Sequence, residues 1–301
     1  MNKIKHVSIV GVPMDLGQLR RGVDMGPSAL RYAGLIEEIE RLGYNVKDGG
    51  DLVIEREATS PSESGKLVNL NEVVSVNSEL HKKVDGIHED GVFPLILGGD
   101  HSVSIGSIAG IAKHYNNLGV IWYDAHPDLN TIETSPSGNI HGMPLAVNLG
   151  IGHPSLVNIG GYAPKIKPEN LVIIGARSID EGEREFILEK GIKVYTMHEI
   201  DRLGMTTVIE ETIAYLAEKT DGVHLSLDLD GVDPIYAPGV GTPVMGGITY
   251  RETHLALEML AEAEIVTSAD CVEINPILDN KNQTAEIATA LISSLLGKKL
   301  L

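Results

Sequence analysis

A single cysteine, Cys271, stands among 301 residues, so an intramolecular disulfide is impossible. That suits a reducing compartment, and a cytoplasmic protein is expected. Aromatic residues are also scarce: Phe, Trp and Tyr together make 4% of a chain that is 43% hydrophobic. Ile, Leu, Val and Ala must therefore fill its core. Basic residues are in deficit as well, with 24 Lys and Arg against 42 Asp and Glu and a formal charge of −18. Such a surface repels phosphate backbones, which argues against nucleic acid as a partner. No apolar run approaches the roughly 18 residues of a membrane span. The opening MNKIKHVSIVGVPMD lacks the length of a signal core and a small-residue cleavage site. There is no internal repeat, no low-complexity tract and no linker, so residues 1–301 are expected to form one domain.

What is present is alternation. Eight short β-branched runs recur: HVSIVGV (6–12), YNVKDGG (44–50), FPLILGG (93–99), GVIWYD (119–124), LVIIGA (171–176), KVYTM (193–197), VHLSLDLD (223–230) and IVTSADCVEI (265–274). Several are solidly apolar, as parallel strands covered on both faces should be. Segments with helical spacing lie between most of them, at 27–44, 71–91, 105–115, 199–219, 251–264 and 284–297. This pattern predicts a parallel α/β sheet with right-handed crossovers, either closed or open. EREATSPSESGK (55–66) reads as a surface excursion. Two long Gly- and Pro-punctuated loops, 130–144 and 231–247, each follow a strand that ends in aspartates. Loops of that length in a compact fold tend to be functional.

Ligands bind beyond the carboxyl ends of parallel strands, and four such ends are polar. LGGDHS places Asp100 and His101 after a glycine turn; a helix cap by Asp100 or Ser102 is the plain alternative. DAHPDLN sets Asp124, His126 and Asp128 at alternate positions, which share one face if the chain is extended. HLSLDLD gives His224, Ser226, Asp228 and Asp230 a common face, unless it is a half-solvated antiparallel strand. ADCVEINP ends in Asp270 and Glu273, and Glu273 alone could be a surface carboxylate.

Taken jointly, His101, Asp124, His126, Asp128, Asp228 and Asp230 supply two imidazoles and four carboxylates. That is too many for one tetrahedral zinc. It suits two divalent ions bridged by shared carboxylates. The oxygen-rich set favours manganese, without excluding iron, cobalt or nickel. Two dications, four carboxylates and a hydroxide sum to one negative charge, a setting for a cationic substrate. Metal-assisted hydrolysis is the reaction class this chemistry points to.

GGDHS, DAHPD and SLDLDGVDP resemble, in order and spacing, the three metal signatures of the ureohydrolases. The likeness is strongest to the arginases of bacterial type and runs nearly end to end. It takes in GVPMDLGQLRRGVDMGPSALR, TSPSGNIHGMP, YTMHEIDRLGM, GVGTPVMGGITYRE and VEINP. The resemblance implies a three-layer α/β/α fold with an open, mainly parallel eight-stranded sheet. It implies hydrolysis of L-arginine to L-ornithine and urea by a hydroxide bridging two manganese ions per subunit. One ion would take His101, Asp124, Asp128 and Asp228, and the other Asp124, His126, Asp228 and Asp230. Asp128 thereby counts among both the ligands and the catalytic residues. His141 matches the family's proton shuttle, and Glu273 the carboxylate that holds the guanidinium. Asn130, Ser135 and Ser137 match residues that read the substrate α-carboxylate. Asp180 matches the acceptor of the α-amino group, Glu183 lies beside it, and Thr242 lines the pocket. A homohexamer built from trimers is implied too.

Taken without the resemblance, His141 would be a solvated loop imidazole, and Asp180 and Glu183 ordinary acids in a first helical turn. Two residues depart from the family pattern: Pro127 inside DAHPD, and Cys271 where a bulkier apolar residue is expected. A close rival is an agmatinase or another guanidino-acid ureohydrolase. A more distant one is a non-catalytic, metal-stabilised oligomer, which would be expected to have lost ligands or His141.

Overall fold

The computed structural model describes residues 5–55, 66–299 and 301. Of the expected surface excursion, 56–65 lie outside the described residues. Eight strands form one sheet: β1 (Lys5–Val12), β2 (Tyr44–Asp51), β3 (Phe93–Gly98), β4 (Leu118–Tyr123), β5 (Leu171–Ala176), β6 (Lys193–Thr196), β7 (Gly222–Asp228) and β8 (Val266–Val272). Each matches an expected run. The spatial order is β2-β1-β3-β8-β7-β4-β5-β6, and every strand pairing is parallel. The sheet is open, with β2 and β6 at its edges.

The solidly apolar runs divide by parity between two cores. In β4, Ile121 and Tyr123 join the cluster under helices Gly26–Tyr32, Leu35–Arg41, Met205–Lys219, Tyr250–Ala263 and Gln283–Leu295. Val120 and Trp122 join the opposite cluster, under Leu70–Glu89 and Ser104–Ala112. The result is three layers. β7 is buried along its whole length between β8 and β4, which rules out the half-solvated antiparallel alternative.

Helix boundaries differ from expectation at two glycines. The 27–44 segment divides at Gly34, and 199–219 divides at Gly204. Gly204 has φ 79° and ψ 149°, a region that residues with a Cβ do not populate. Helix Glu181–Lys190 lies outside the segments with helical spacing, since only Glu183 in it is buried, and its start agrees with the reading of Asp180 and Glu183 as acids of a first helical turn. Its sequence signal is the capping box that Asp180 forms with Glu183.

The chain lays β1–β3 on one side and β4–β6 on the other, and β7 and β8 fill the middle. The carboxyl ends of β3, β8, β7 and β4 therefore stand side by side, where ligands bind in open α/β sheets.

Candidate metal centre and active site

β3 stops at Gly98, and the chain turns at Gly99. A Cβ on Gly99 would lie 1.9 Å from the Met14 backbone oxygen, so this close approach requires glycine. Asp100 caps the short turn His101–Val103, accepting from the Ser102 N–H at 3.0 Å. The cap reading thus holds for Asp100, and the cap aims His101 inward. The His101 ring stacks on Trp122 with centroids 3.9 Å apart.

Asp124, His126 and Asp128 do converge, but not as one face of an extended chain. β4 ends at Tyr123, the next residues bend, and Asp128 has φ 51°, in the left-handed region. Asp124 Oδ1 accepts from the His126 N–H at 2.6 Å and closes that bend. The HLSLDLD face also divides. Asp228 ends β7 and Asp230 sits in the turn Leu229–Gly231, its N–H donating to Asp228 Oδ1 at 2.7 Å. His224 and Ser226 lie deeper and contact Asp270 instead.

His101 Nδ1 is 3.0 Å from Asp124 Oδ2, 3.2 Å from Asp128 Oδ2 and 3.0 Å from Asp228 Oδ2. One ring nitrogen cannot donate to three carboxylates at once. Buried, His101 Nδ1 and Asp124 Oδ2 have no hydrogen-bond partner at all. His126 Nδ1 lies 3.1 Å from Asp230 Oδ2 and 3.5 Å from Asp124 Oδ1. Asp124 thus offers one oxygen to each of two groups, His101–Asp124–Asp228 and Asp124–His126–Asp230, whose ligand atoms lie within 4.8 Å of one another. Orphaned buried acceptors converging at this spacing are what a divalent cation would satisfy. Burial pushes Asp128, Asp228 and Asp230 up, Asp230 to about 6, and neighbouring carboxylates add to the push. Burial opposes ionisation of Asp124 too, but the imidazoles of His101 and His126 close beside it hold it well below the usual range.

One cleft opens over this cluster, lined by every expected site residue except Asp124. Glu273, with φ 63°, reaches its floor. Glu273 Oε1 accepts from the His101 N–H at 2.9 Å and lies 3.0 Å from His141 Nδ1, while Oε2 accepts from Gln18 Nε2 at 2.9 Å. Burial disfavours the charge on His141, but the hydrogen bond and charge of Glu273 prevail and raise it to about 9. His141 is therefore no free loop imidazole. Thr242 Oγ1 donates to Asp230 Oδ2 at 3.0 Å.

Toward the rim, Asn130 Nδ2 donates to Asp180 Oδ2 at 2.9 Å. Ser135 Oγ accepts from the Gly138 N–H at 3.0 Å, and Ser137 Oγ from the Asn139 N–H at 3.2 Å. Glu183 is 3% exposed, and both its oxygens are engaged, with the Leu129 N–H at 3.0 Å and the Asp180 N–H at 2.9 Å. It ties the ligand tract to the start of helix Glu181–Lys190.

The sequence model of the arginase family matches residues 5–297. The chain belongs to the arginase family. It is 69% identical over 297 residues to the arginase of Bacillus subtilis (strain 168), covering 99% of each chain. It is 67% identical over 299 residues to the arginase of Bacillus caldovelox, covering 99% of this chain and 100% of that one. The solved structure of the Bacillus caldovelox arginase matches with a TM-score of 0.97 at 66% identity, over 99% of this chain and 100% of the other. The chain is accordingly an enzyme, a hydrolase of the arginase type with the arginase fold.

Three residues at or behind this cleft carry little signal in the sequence. Gln18 braces Glu273 from behind the cleft lining. Asn139 and Ser178 line the cleft. Asn139 stands in the quoted GNIHG and was passed over beside His141; Gln18 and Ser178 carry no spacing signal of their own.

Proposed function

We propose that this chain hydrolyses L-arginine to L-ornithine and urea with two manganese ions per subunit, as one catalytic unit over residues 1–301. The observation that carries this reading is the polarity of the cleft. Its floor gathers six metal-capable side chains with a braced carboxylate, and its rim gathers amide, hydroxyl and carboxylate groups. His101, Asp124, Asp128 and Asp228 would hold one ion, and Asp124, His126, Asp228 and Asp230 the other. Ions bound there supply a water acidic enough to ionise near neutral pH.

The chain's own residues do the rest. Glu273, aimed by Gln18 and the His101 N–H, receives the guanidinium. His141, protonated beside Glu273, delivers a proton to the departing amine nitrogen and exchanges it with solvent at the cleft. Thr242 keeps Asp230 Oδ2 turned toward the cluster. Asn130, Ser135 and Ser137 bind the α-carboxylate, and Asp180, steadied by Glu183, the α-amino group. One buried, unpaired cysteine accords with a cytoplasmic enzyme. Among the described residues, no helix is long and apolar enough to cross a membrane. Resemblance is the support for a homohexamer of two trimers.

An agmatinase would need none of the α-carboxylate contacts. Urea release from L-arginine and from agmatine, measured in parallel with manganese present, separates the two. Arginine is expected to be preferred by at least about 100-fold in kcat/KM, because unpaired polar groups in the rim reject the analogue. A preference for agmatine would overturn the assignment.

A further inference from the structure

A second buried polar cluster sits behind the metal centre, outside the cleft. Asp270 on β8 is fully buried and does not line that cleft. The parallel register sets Ser226 opposite Asp270, and His224 opposite Ser268. The helix Ser104–Ala112 follows the His101 turn directly and brings Ser104 and Ser107 over the same point. Asp270 Oδ1 accepts from Ser226 Oγ at 2.5 Å. Asp270 Oδ2 accepts from Ser107 Oγ at 2.6 Å, Ser104 Oγ at 3.0 Å and His224 Nε2 at 3.0 Å. His224 Nδ1 continues to Ser268 Oγ at 2.8 Å. Ser226 Oγ lies 2.8 Å from His101 Nε2.

Hydrogen counting gives this chain a direction. An ionised carboxylate only accepts, so the single hydroxyl hydrogen of Ser226 goes to Asp270. The Ser226 oxygen can then only accept from His101, and His101 must carry its proton on Nε2. In the neutral ring that a metal ligand requires, that leaves the lone pair on Nδ1, the atom that faces Asp124, Asp128 and Asp228. Burial resists the charge on Asp270, but His224 outweighs it, with Ser107 adding a hydrogen bond, and the carboxylate is held at about 2. A buried carboxylate is costly to keep unless it is fully hydrogen-bonded, and this one has a donor on every side.

We propose that Asp270, acting through Ser226, is a positioning residue that fixes the tautomer of His101 and so presents Nδ1 to a divalent cation. The inference rests on the two-ion reading. The two parts of the divided HLSLDLD stretch then serve one cluster: Asp228 and Asp230 would face the ions, and Ser226, with His224 on Asp270, orients the opposite ligand from behind.

Metal-free protein titrated with Mn2+, with the free ion followed by its paramagnetic resonance signal, tests it without recourse to turnover. Wild type is expected to take up two ions per chain. Ser226→Ala and Asp270→Asn should each weaken one of the two binding steps by about 10- to 100-fold, as loss of an outer hydrogen bond to a ligating histidine does. Ser268→Ala, at the far end of the cluster, should leave both steps unchanged. If Asp270→Asn fails to fold, Ser226→Ala decides, since it removes one hydroxyl and leaves Asp270 three donors. Two ions bound at wild-type affinity by Ser226→Ala would overturn the inference and leave the two-ion reading standing. So would equal weakening of both steps in all three variants, which would mark a general structural role. Fewer than two ions on saturated wild type would overturn the two-ion reading, and the inference with it.

Discussion

Asp128 and Glu273 share an uncommon backbone, with φ of 51° and 63°. Left-handed geometry costs a residue with a Cβ about 1–2 kcal/mol, and both sites of strain turn a carboxylate toward the cleft. Beside them, the His141–Glu273 pair predicts how stability should follow pH. His141 rises from 6.5 to about 9 on folding. The stability it contributes is therefore full below about 6.5 and is lost as pH climbs through about 9. In thermal unfolding of metal-free protein, His141→Asn should be less stable than wild type at pH 6, with the gap closing above pH 9. A gap that does not depend on pH would contradict the pairing. Pro127 is buried within the bend that follows β4 and stiffens it. Pro127→Gly should keep both ions and hold activity within about an order of magnitude, since the change loosens the unfolded chain by only about 1 kcal/mol. A larger loss, followed in metal content and urea release, would mean that the ring itself shapes the ligands. The cluster was legible because metal-capable side chains at strand ends are out of place in a core. Gln18 and the orienting part of Asp270 were not, since each acts through a partner far away in sequence.

At the scale of elements, the inner strands were legible because solid apolar runs have few other uses, and the edge strands β2 and β6, less buried, were legible only from their place in the alternation. Helix ends were less so. Gly34 and Gly204 split helices whose apolar spacing runs on across the break, and helix Glu181–Lys190 has almost no buried face to betray it. The alternation in DAHPDLN pointed to residues that do converge, but for an incomplete reason: a bend, not an extended strand, brings them together. The β3 turn offers a test of how strictly such junctions set the site. Gly99→Ala would force a Cβ against the Met14 carbonyl. It should cost at least about 1–3 kcal/mol of stability, as overpacking does, and it should weaken manganese binding because His101 moves with the turn. Wild-type unfolding and metal titration curves for this variant would show that the junction yields more easily than its geometry implies.

For the whole molecule, the order of strands decides where chemistry is possible. Late strands β7 and β8 insert between β3 and β4, so metal-capable side chains from three separate stretches of chain, and Glu273 from a fourth, meet at one edge. Periodicity alone could not distinguish an open sheet from a closed one; the resemblance did, and the edges at β2 and β6 agree with it. Part of the formal charge of −18 is local, since Asp128, Asp228, Asp230 and Glu273 line one cleft, and with the two proposed cations among them it would suit a guanidinium. Everything proposed for the cleft depends on two ions acting together. Metal-free protein reconstituted with zero, one and two equivalents of Mn2+, and assayed for urea release from L-arginine, tests that most directly. Activity should be absent without metal and reach its plateau only at two equivalents. A plateau at one equivalent, or turnover by metal-free protein, would contradict a binuclear site.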